Sequence, residues 1–221
     1  MNDLEFNYVG YKLTDEFKTY EGRTLYRIEL THHCLHGEPG TKGGWISKAG
    51  NLQQSAWVAN EAMVMDDAVV EGTALVKDNV IISDRARVYD QAVISGNAKI
   101  SGRSKVFNNA KVSDNCIVKD KAKVHGEAII KNDCVMWGKS ELFGGEWTES
   151  PYQSPWLKYF ITHCQPGSLK ISCELKTITE WRDFDSLSGG FKAGIQYKYD
   201  ANDPNNKWQK FLKMTEHLKD K

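Results

Sequence analysis

Many of the features that commonly mark a function are missing from this chain. Lysine plus arginine equals aspartate plus glutamate, at 29 each, so no net field draws the protein towards extended nucleic acid or a membrane surface. No segment approaches the ~18 consecutive apolar residues of a membrane-spanning helix. The opening residues, MNDLEFNYVG, lack the basic patch and apolar run of an export signal. A soluble cytoplasmic protein is the expectation. The five cysteines (Cys34, Cys116, Cys134, Cys164 and Cys173) are odd in number and contain no CxxC pair, which argues against a disulfide framework or a zinc ribbon. Histidine is scarce too: His125 is the only one between residues 56 and 145, too few there for a three-imidazole metal centre.

What is present is a repeat. Fifteen six-residue units run from Ala56 to Gly145 with no insertion or deletion. The first position of each unit is small, from Ala56 and Ala62 to Cys134 and Ser140, and the third is aliphatic or Met, from Val58 and Val64 to Met136 and Leu142. The fifth is always Gly, Asp or Asn. Alternating inward residues describe short extended segments, and the fifth position supplies a corner at which left-handed backbone is tolerated. A chain that turns the same way at each corner closes after three units, so residue i lies beneath residue i+18 in a triangular coil. Five such coils span ~24 Å at the ~4.8 Å strand spacing. Cys116 and Cys134, 18 residues apart at the small position, then become vertical neighbours. They read as small core fillers, at a spacing that distance alone would allow a disulfide to bridge.

The pattern aliphatic-x-x-x-small-x, as in Val88-Tyr89-Asp90-Gln91-Ala92 and Val124-His125-Gly126-Glu127-Ala128, resembles the hexapeptide-repeat, left-handed β-helix superfamily. Gly43-Gly44-Trp45-Ile46, followed by Asn51-Leu52 and Trp57-Val58, is similar to the opening of acyltransferase-like members encoded by phages and prophages. The resemblance covers about residues 40–145. It implies an all-β solenoid, a three-sided left-handed parallel β-helix, and assembly as a homotrimer. It also implies a phage protein working in the host cytoplasm; counter-defence is a further hypothesis built on that link. The superfamily holds acyltransferases, carbonic anhydrases and proteins without catalytic activity, so it does not choose among them.

Three segments follow: an N-terminal β cap over 1–42, the coil over 43–147, and an α+β extension over 148–221. A stacked coil leaves unpaired strands at its ends, which need covers. Residues 5–13 and 23–34, around a Glu21-Gly22 turn, predict a hairpin that caps the first coil. Pro151 and Pro155 mark a connector, residues 168–177 a strand, and Thr177 with Glu180 a capping box for a short helix that Gly189-Gly190 ends. Beyond Pro204, Trp208, Phe211, Leu212, Thr215 and Leu218 predict one face of an amphipathic terminal helix.

Sorted by coil, the outward second positions give two mainly apolar columns. One is Trp57, Leu75, Val93, Lys111 and Ile129; the other is Met63, Ile81, Lys99, Ile117 and Val135. Such stripes suit a subunit interface or cover by the terminal segments. The third face carries Val69, Arg87, Lys105, Lys123 and Glu141 beside Glu71, Tyr89, Phe107, His125 and Phe143. Arg87, Lys105 and Lys123 are the candidate phosphate holders, and Tyr89, Phe107, His125 and Phe143 the candidate stacking surface for a nucleotide-like anion. Against that stands a purely structural ladder with solubilising lysines.

The expected function is a non-catalytic trimeric binding protein that sequesters a nucleotide-like small molecule or a host partner and needs no cofactor. One alternative is an acyltransferase using acetyl-CoA, with His125 as general base. The unbroken repeat argues against it, because catalytic relatives commonly interrupt the coil with a loop that builds the acceptor pocket. A purely structural or protein-binding inhibitor is the other alternative. His32, His33, Cys34 and His36 form a cluster, but adjacent residues on a strand point to opposite faces, so no metal site is expected. His163 beside Cys164 lacks a third group. Trp181-Arg182 could stack on and clamp an anion, although a Trp that anchors the helix is the simpler reading.

Overall fold

The computed structural model describes residues 10–156 and 159–182. The chain divides into two compact units, Met1–Pro151 and Tyr152–Lys221.

The first unit is a parallel β-solenoid with three stacked sheets. Each six-residue unit contributes a two-residue strand, from Trp57–Val58 to Glu141–Leu142, and each strand pairs in parallel with the one 18 residues on, as Val93 does with Lys111 and Lys105 with Lys123. The rungs are tied amide to carbonyl, as from Val93 N to Ala110 O at 3.0 Å. Inside, the small first position and the aliphatic third position are both fully buried from Ala56 to Leu142. Three columns fill the prism, for instance Val58, Val76, Ile94, Val112 and Ile130 along one face. A prism this narrow takes one large residue per unit, which is why the partner position is Ala, Ser or Cys in every unit but the one that begins at Val80.

Every fifth position from Asn60 to Gly138 adopts the left-handed conformation, with φ between +57° and +74°. The aspartates there also carry a load: Asp84 Oδ2 accepts Gly102 N at 2.8 Å, Asp114 Oδ2 accepts Asn132 N at 2.8 Å, and Asp120 Oδ2 accepts Gly138 N at 2.9 Å. Asp and Asn are tolerated in this backbone region, and a carboxylate one coil above meets an amide that the corner would otherwise leave unpaired. The residue type thus supplies both the turn and a vertical tie.

The expected hairpin is present, but its strands are displaced from the sequence reading. β1 (Tyr11–Tyr20) and β2 (Arg23–Leu30) flank the Glu21-Gly22 turn, and β2 pairs antiparallel with β3 (Lys42–Ile46). β3 continues one of the coil's sheets through Trp45↔Met63. The sequence reading ends the first strand at residue 13, before the mainly polar stretch Thr14–Lys18. It forms β structure all the same because β1 is an outer strand with much of its surface in water, and charged, bulged strands are how exposed edges are protected. The bulge lies between Leu13 and Phe17. Ile28 and Leu30 close the top of the interior, in one cluster with Ile46 and Val58. Gly43 and Gly44 allow this close fit, since a Cβ on Gly44 would stand 2.6 Å from Ala62 O. Asn51, fully buried, is satisfied by Ala68 O at 2.7 Å and Asp66 O at 3.1 Å.

At the other end the period changes. Ile129 pairs with Glu146, 17 residues on, and Ile130 with Trp147. Gly145, φ +80°, is the left-handed residue of this final corner. The indole of Trp147 therefore takes the inward position and donates from Nε1 to Gly144 O at 2.9 Å.

In the second unit, Gln153–Trp156, Tyr159–Gln165, Ser168–Ile171 and Glu174–Thr177 form an antiparallel sheet in that order, followed by a helix over Ile178–Arg182. Pro155, expected in a connector, lies in the first strand. That strand is at the sheet edge, the one place where a missing amide is tolerated. The predicted single strand over 168–177 is a hairpin turning at Ser172, whose φ is +58°. The capping box forms as expected: Glu180 N donates to Thr177 Oγ1 at 3.1 Å and Thr177 N to Glu180 Oε2 at 2.7 Å. Trp181 anchors the helix, being buried and donating from Nε1 to Leu169 O at 2.8 Å. The Gly189-Gly190 stop and the terminal amphipathic helix lie outside the described residues.

Candidate functional site

The third face of the coil is a five-stranded sheet running from Val69–Val70 to Glu141–Leu142. Its register stacks Arg87 on Lys105, Lys105 on Lys123 and Lys123 on Glu141. Two residues further along each rung stand Tyr89, Phe107, His125 and Phe143. The fold brings all seven sequence-predicted residues onto one face.

The rings form a ladder. Tyr89 and Phe107 stack with centroids 4.8 Å apart and planes 4° from parallel; Phe107 and His125 are 4.6 Å apart at 4°. His125 and Phe143 lie 5.8 Å apart and tilted by 37°. The separations follow the strand spacing. They also decide what the ladder offers a ligand. Admitting a planar base between two rings takes two carbon-contact layers, ~7 Å, and these gaps are narrower. The faces of Phe107 and His125 are occupied by their neighbours, so only ring edges are left for contact, and an aromatic edge carries partial positive charge.

Ion pairs partition the cations. Arg87 is bound by Glu71, and its guanidinium carbon lies 5.7 Å from the Tyr89 ring. Lys123 Nζ is 3.9 Å from Glu141 Oε1, which also holds His125 Nε2 at 3.1 Å. Lys105, between them, has no ion-pair partner among the described residues. Burial, with help from Asp90, pushes the Tyr89 phenol up, so it stays neutral and a hydrogen-bond donor.

The remaining candidates separate. In the loop between β2 and β3, His33 pairs with Glu38 at 2.9 Å, His32 Nε2 accepts Gly10 N at 3.2 Å, and His36 stacks on Trp57 at 5.7 Å with its pKa lowered by burial. Among the described residues no three His, Cys, Asp or Glu side chains are grouped to hold a metal. Cys116 and Cys134 are buried free thiols. The Cys116 thiol is pushed up by its hydrogen bond with Cys134 and by burial, so it stays protonated.

Sorting by second and fourth positions missed the corners. The sixth position along one edge of this face gives Asp67, Arg85, Arg103, Lys121 and Lys139, with the four cations all exposed. The same column along the next edge is a hydrogen-bonded ladder, Asn79 to Asn97 at 3.2 Å, Asn97 to Asn115 at 3.1 Å and Asn115 to Asp133 at 3.0 Å. The signal was the same spacing of 18, applied to the one outward position left unsorted.

A scan of protein-family models and a search of curated proteins both return no match to this chain.

Proposed function

We propose that this protein is a non-catalytic binding solenoid whose third face takes a nucleotide-like anionic small molecule, and that it assembles as a homotrimer through its two apolar faces. The observation that carries the reading is the pairing, rung by rung, of the Arg87, Lys105 and Lys123 column with the Tyr89, Phe107, His125 and Phe143 ladder. Lys105 is the anchoring cation, free of any carboxylate among the described residues. Arg87 and Lys123 reach the same phosphate by exchanging exposed ion pairs, which are worth only ~0–1 kcal/mol each. The base lies along the ring edges, where its carbonyl oxygens and ring nitrogens meet positive edges and the Tyr89 hydroxyl. In calorimetry with nucleotides, Lys105→Glu is expected to lower affinity at least ~10-fold, because it places like charge against the phosphate. Phe107→Ala should weaken binding of nucleotides more than of phosphate alone. Unchanged affinities in both variants would overturn the reading.

A second reading has one observation in its favour. Glu141 holds the His125 ring by Nε2, as a carboxylate does when it orients a general base. Acyl transfer from acetyl-CoA to a panel of alcohols and amines would then release free CoA, and His125→Asn would abolish that release.

A further inference from the structure

Four cations stacked without interruption are an unusual choice for an exposed corner. Adjacent rungs are one strand spacing apart, and like charges directly opposite one another in a sheet repel. The chain avoids this at its other two corners. One carries the Asn79, Asn97 and Asn115 hydrogen-bond ladder; the other carries Ser55, Thr73, Gln91, Asn109 and Glu127. On the apolar faces Lys99 and Lys111 stand singly between aliphatic residues. Solubility is thus served elsewhere by neutral or isolated polar groups. Among the corner columns only Arg85, Arg103, Lys121 and Lys139 accumulate charge of one sign, and the first three lie two residues from Arg87, Lys105 and Lys123 on the same rungs.

Little inside the protein relieves the repulsion. Arg85 reaches Asp67 only at 4.0 Å, and Asp67 already binds Lys48 at 2.7 Å. Arg103, Lys105, Lys121 and Lys139 have no ion pair among the described residues. The corner aspartates Asp84 and Asp120 accept amides one coil on and form no ion pair with the column among the described residues. Glu71 and Glu141 lie at the two ends of the strip and engage Arg87 and Lys123.

We propose that this strip binds a linear phosphoanhydride chain, of which a nucleoside triphosphate tail is the short form and inorganic polyphosphate the long form. The proposal rests on the anion-binding reading above and assigns the ligand's charged part to the corner column. Two columns of cations, one strand spacing apart along the coil axis, match a dense linear charge. A phosphoanhydride chain separates successive phosphates by one bridging oxygen, whereas a phosphodiester backbone interposes a sugar. The stacked rings deny a nucleic acid the base stacking that holds single strands. With a cation pair on each of three successive rungs, the strip has no unique phosphate position, so affinity follows the number of phosphates rather than the base.

The test is calorimetry on the full chain with orthophosphate, AMP, ATP, tripolyphosphate, a longer linear polyphosphate and a single-stranded oligonucleotide. Affinity is expected to rise in the order orthophosphate, tripolyphosphate, longer polyphosphate, with ATP close to tripolyphosphate. Arg103→Glu with Lys121→Glu should lower tripolyphosphate affinity at least ~10-fold and reduce the salt dependence by about two charges. Lys12→Glu with Lys42→Glu changes net charge equally on β1 and β3 and should leave affinity unchanged. Wild-type affinity in the Arg103/Lys121 variant, tripolyphosphate no tighter than orthophosphate, or an oligonucleotide binding as tightly as polyphosphate of equal charge would each overturn the proposal. If AMP binding nevertheless depends on Lys105, the nucleotide-binding reading survives alone. If no probe binds, both fall.

Discussion

At the scale of single residues, the corner position does more than turn the chain. An Asp in the left-handed region accepts an amide from the next coil, whereas a Gly offers conformational freedom and a close approach. The two are therefore not interchangeable in the same way everywhere. Asp120→Gly gives up the bond to Gly138 N and relieves backbone strain, so stability should change by no more than about 1 kcal/mol. Gly126→Ala faces a different environment. Its Cβ would stand 2.3 Å from Phe143 O, at a φ of +64°, and neither atom is the end of a flexible side chain. A loss of about 2 kcal/mol or more is expected, read as a lower urea midpoint than that of Asp120→Gly. The corners were legible in the sequence because the residue types that tolerate left-handed backbone are few. The vertical carboxylate–amide bonds were not, since they appear only once residues 18 apart are stacked.

At the scale of elements, the hairpin shows where reading by pattern succeeds and where it stops. The Glu21-Gly22 turn and the cap were legible, but the length of β1 was not, because a strand exposed on its outer edge need not alternate. The hairpin is fastened by a cluster that no period announces. Lys18 Nζ and the Arg27 guanidinium carbon lie 4.4 Å and 4.7 Å from the Trp45 ring, while Glu61 accepts from Arg27 at 2.8 Å and Trp45 Nε1 at 2.9 Å. Arg27 foremost, with Trp45 and Lys18, brings the Glu61 carboxyl down to about 2 from its ordinary 4.5. A carboxyl lowered on folding stabilises the fold fully above its unfolded value and loses that contribution as pH falls through the folded one. Between about pH 4.5 and 2 the wild-type melting temperature should therefore drop more steeply than that of Glu61→Gln. Equal slopes would remove Glu61 from the account. The shortened last corner was equally hidden: Gly144-Gly145 suggested the end of the repeat, but not that Trp147, rather than Thr148, would turn inward.

At the scale of the whole molecule, the proposed trimer rests on side chains that one copy leaves half-covered. Trp57 and Met63 at the top of the two apolar columns are buried within the chain, whereas Leu75, Val93, Ile129, Ile81, Ile117 and Val135 keep part of their surface in water. Val93→Glu with Ile117→Glu should convert a trimer to monomers of unchanged β content, measured by light scattering and circular dichroism. A wild-type monomer at micromolar concentration would refute the assembly. The third face was legible as basic and aromatic, but the ring spacing that closes its ring faces was a matter of geometry, beyond what residue identity conveys.

The vertical register has a consequence for how such a protein can change. Because each rung pairs with the residue 18 positions on, removing one full turn would rejoin every column to itself and shorten the cationic strip by a rung. Removing a single six-residue unit would act like a frameshift in space: everything downstream would rotate to the neighbouring face, splitting the strip across two edges and setting lysines among the apolar columns. The cationic strip can therefore lengthen or shrink only in whole turns.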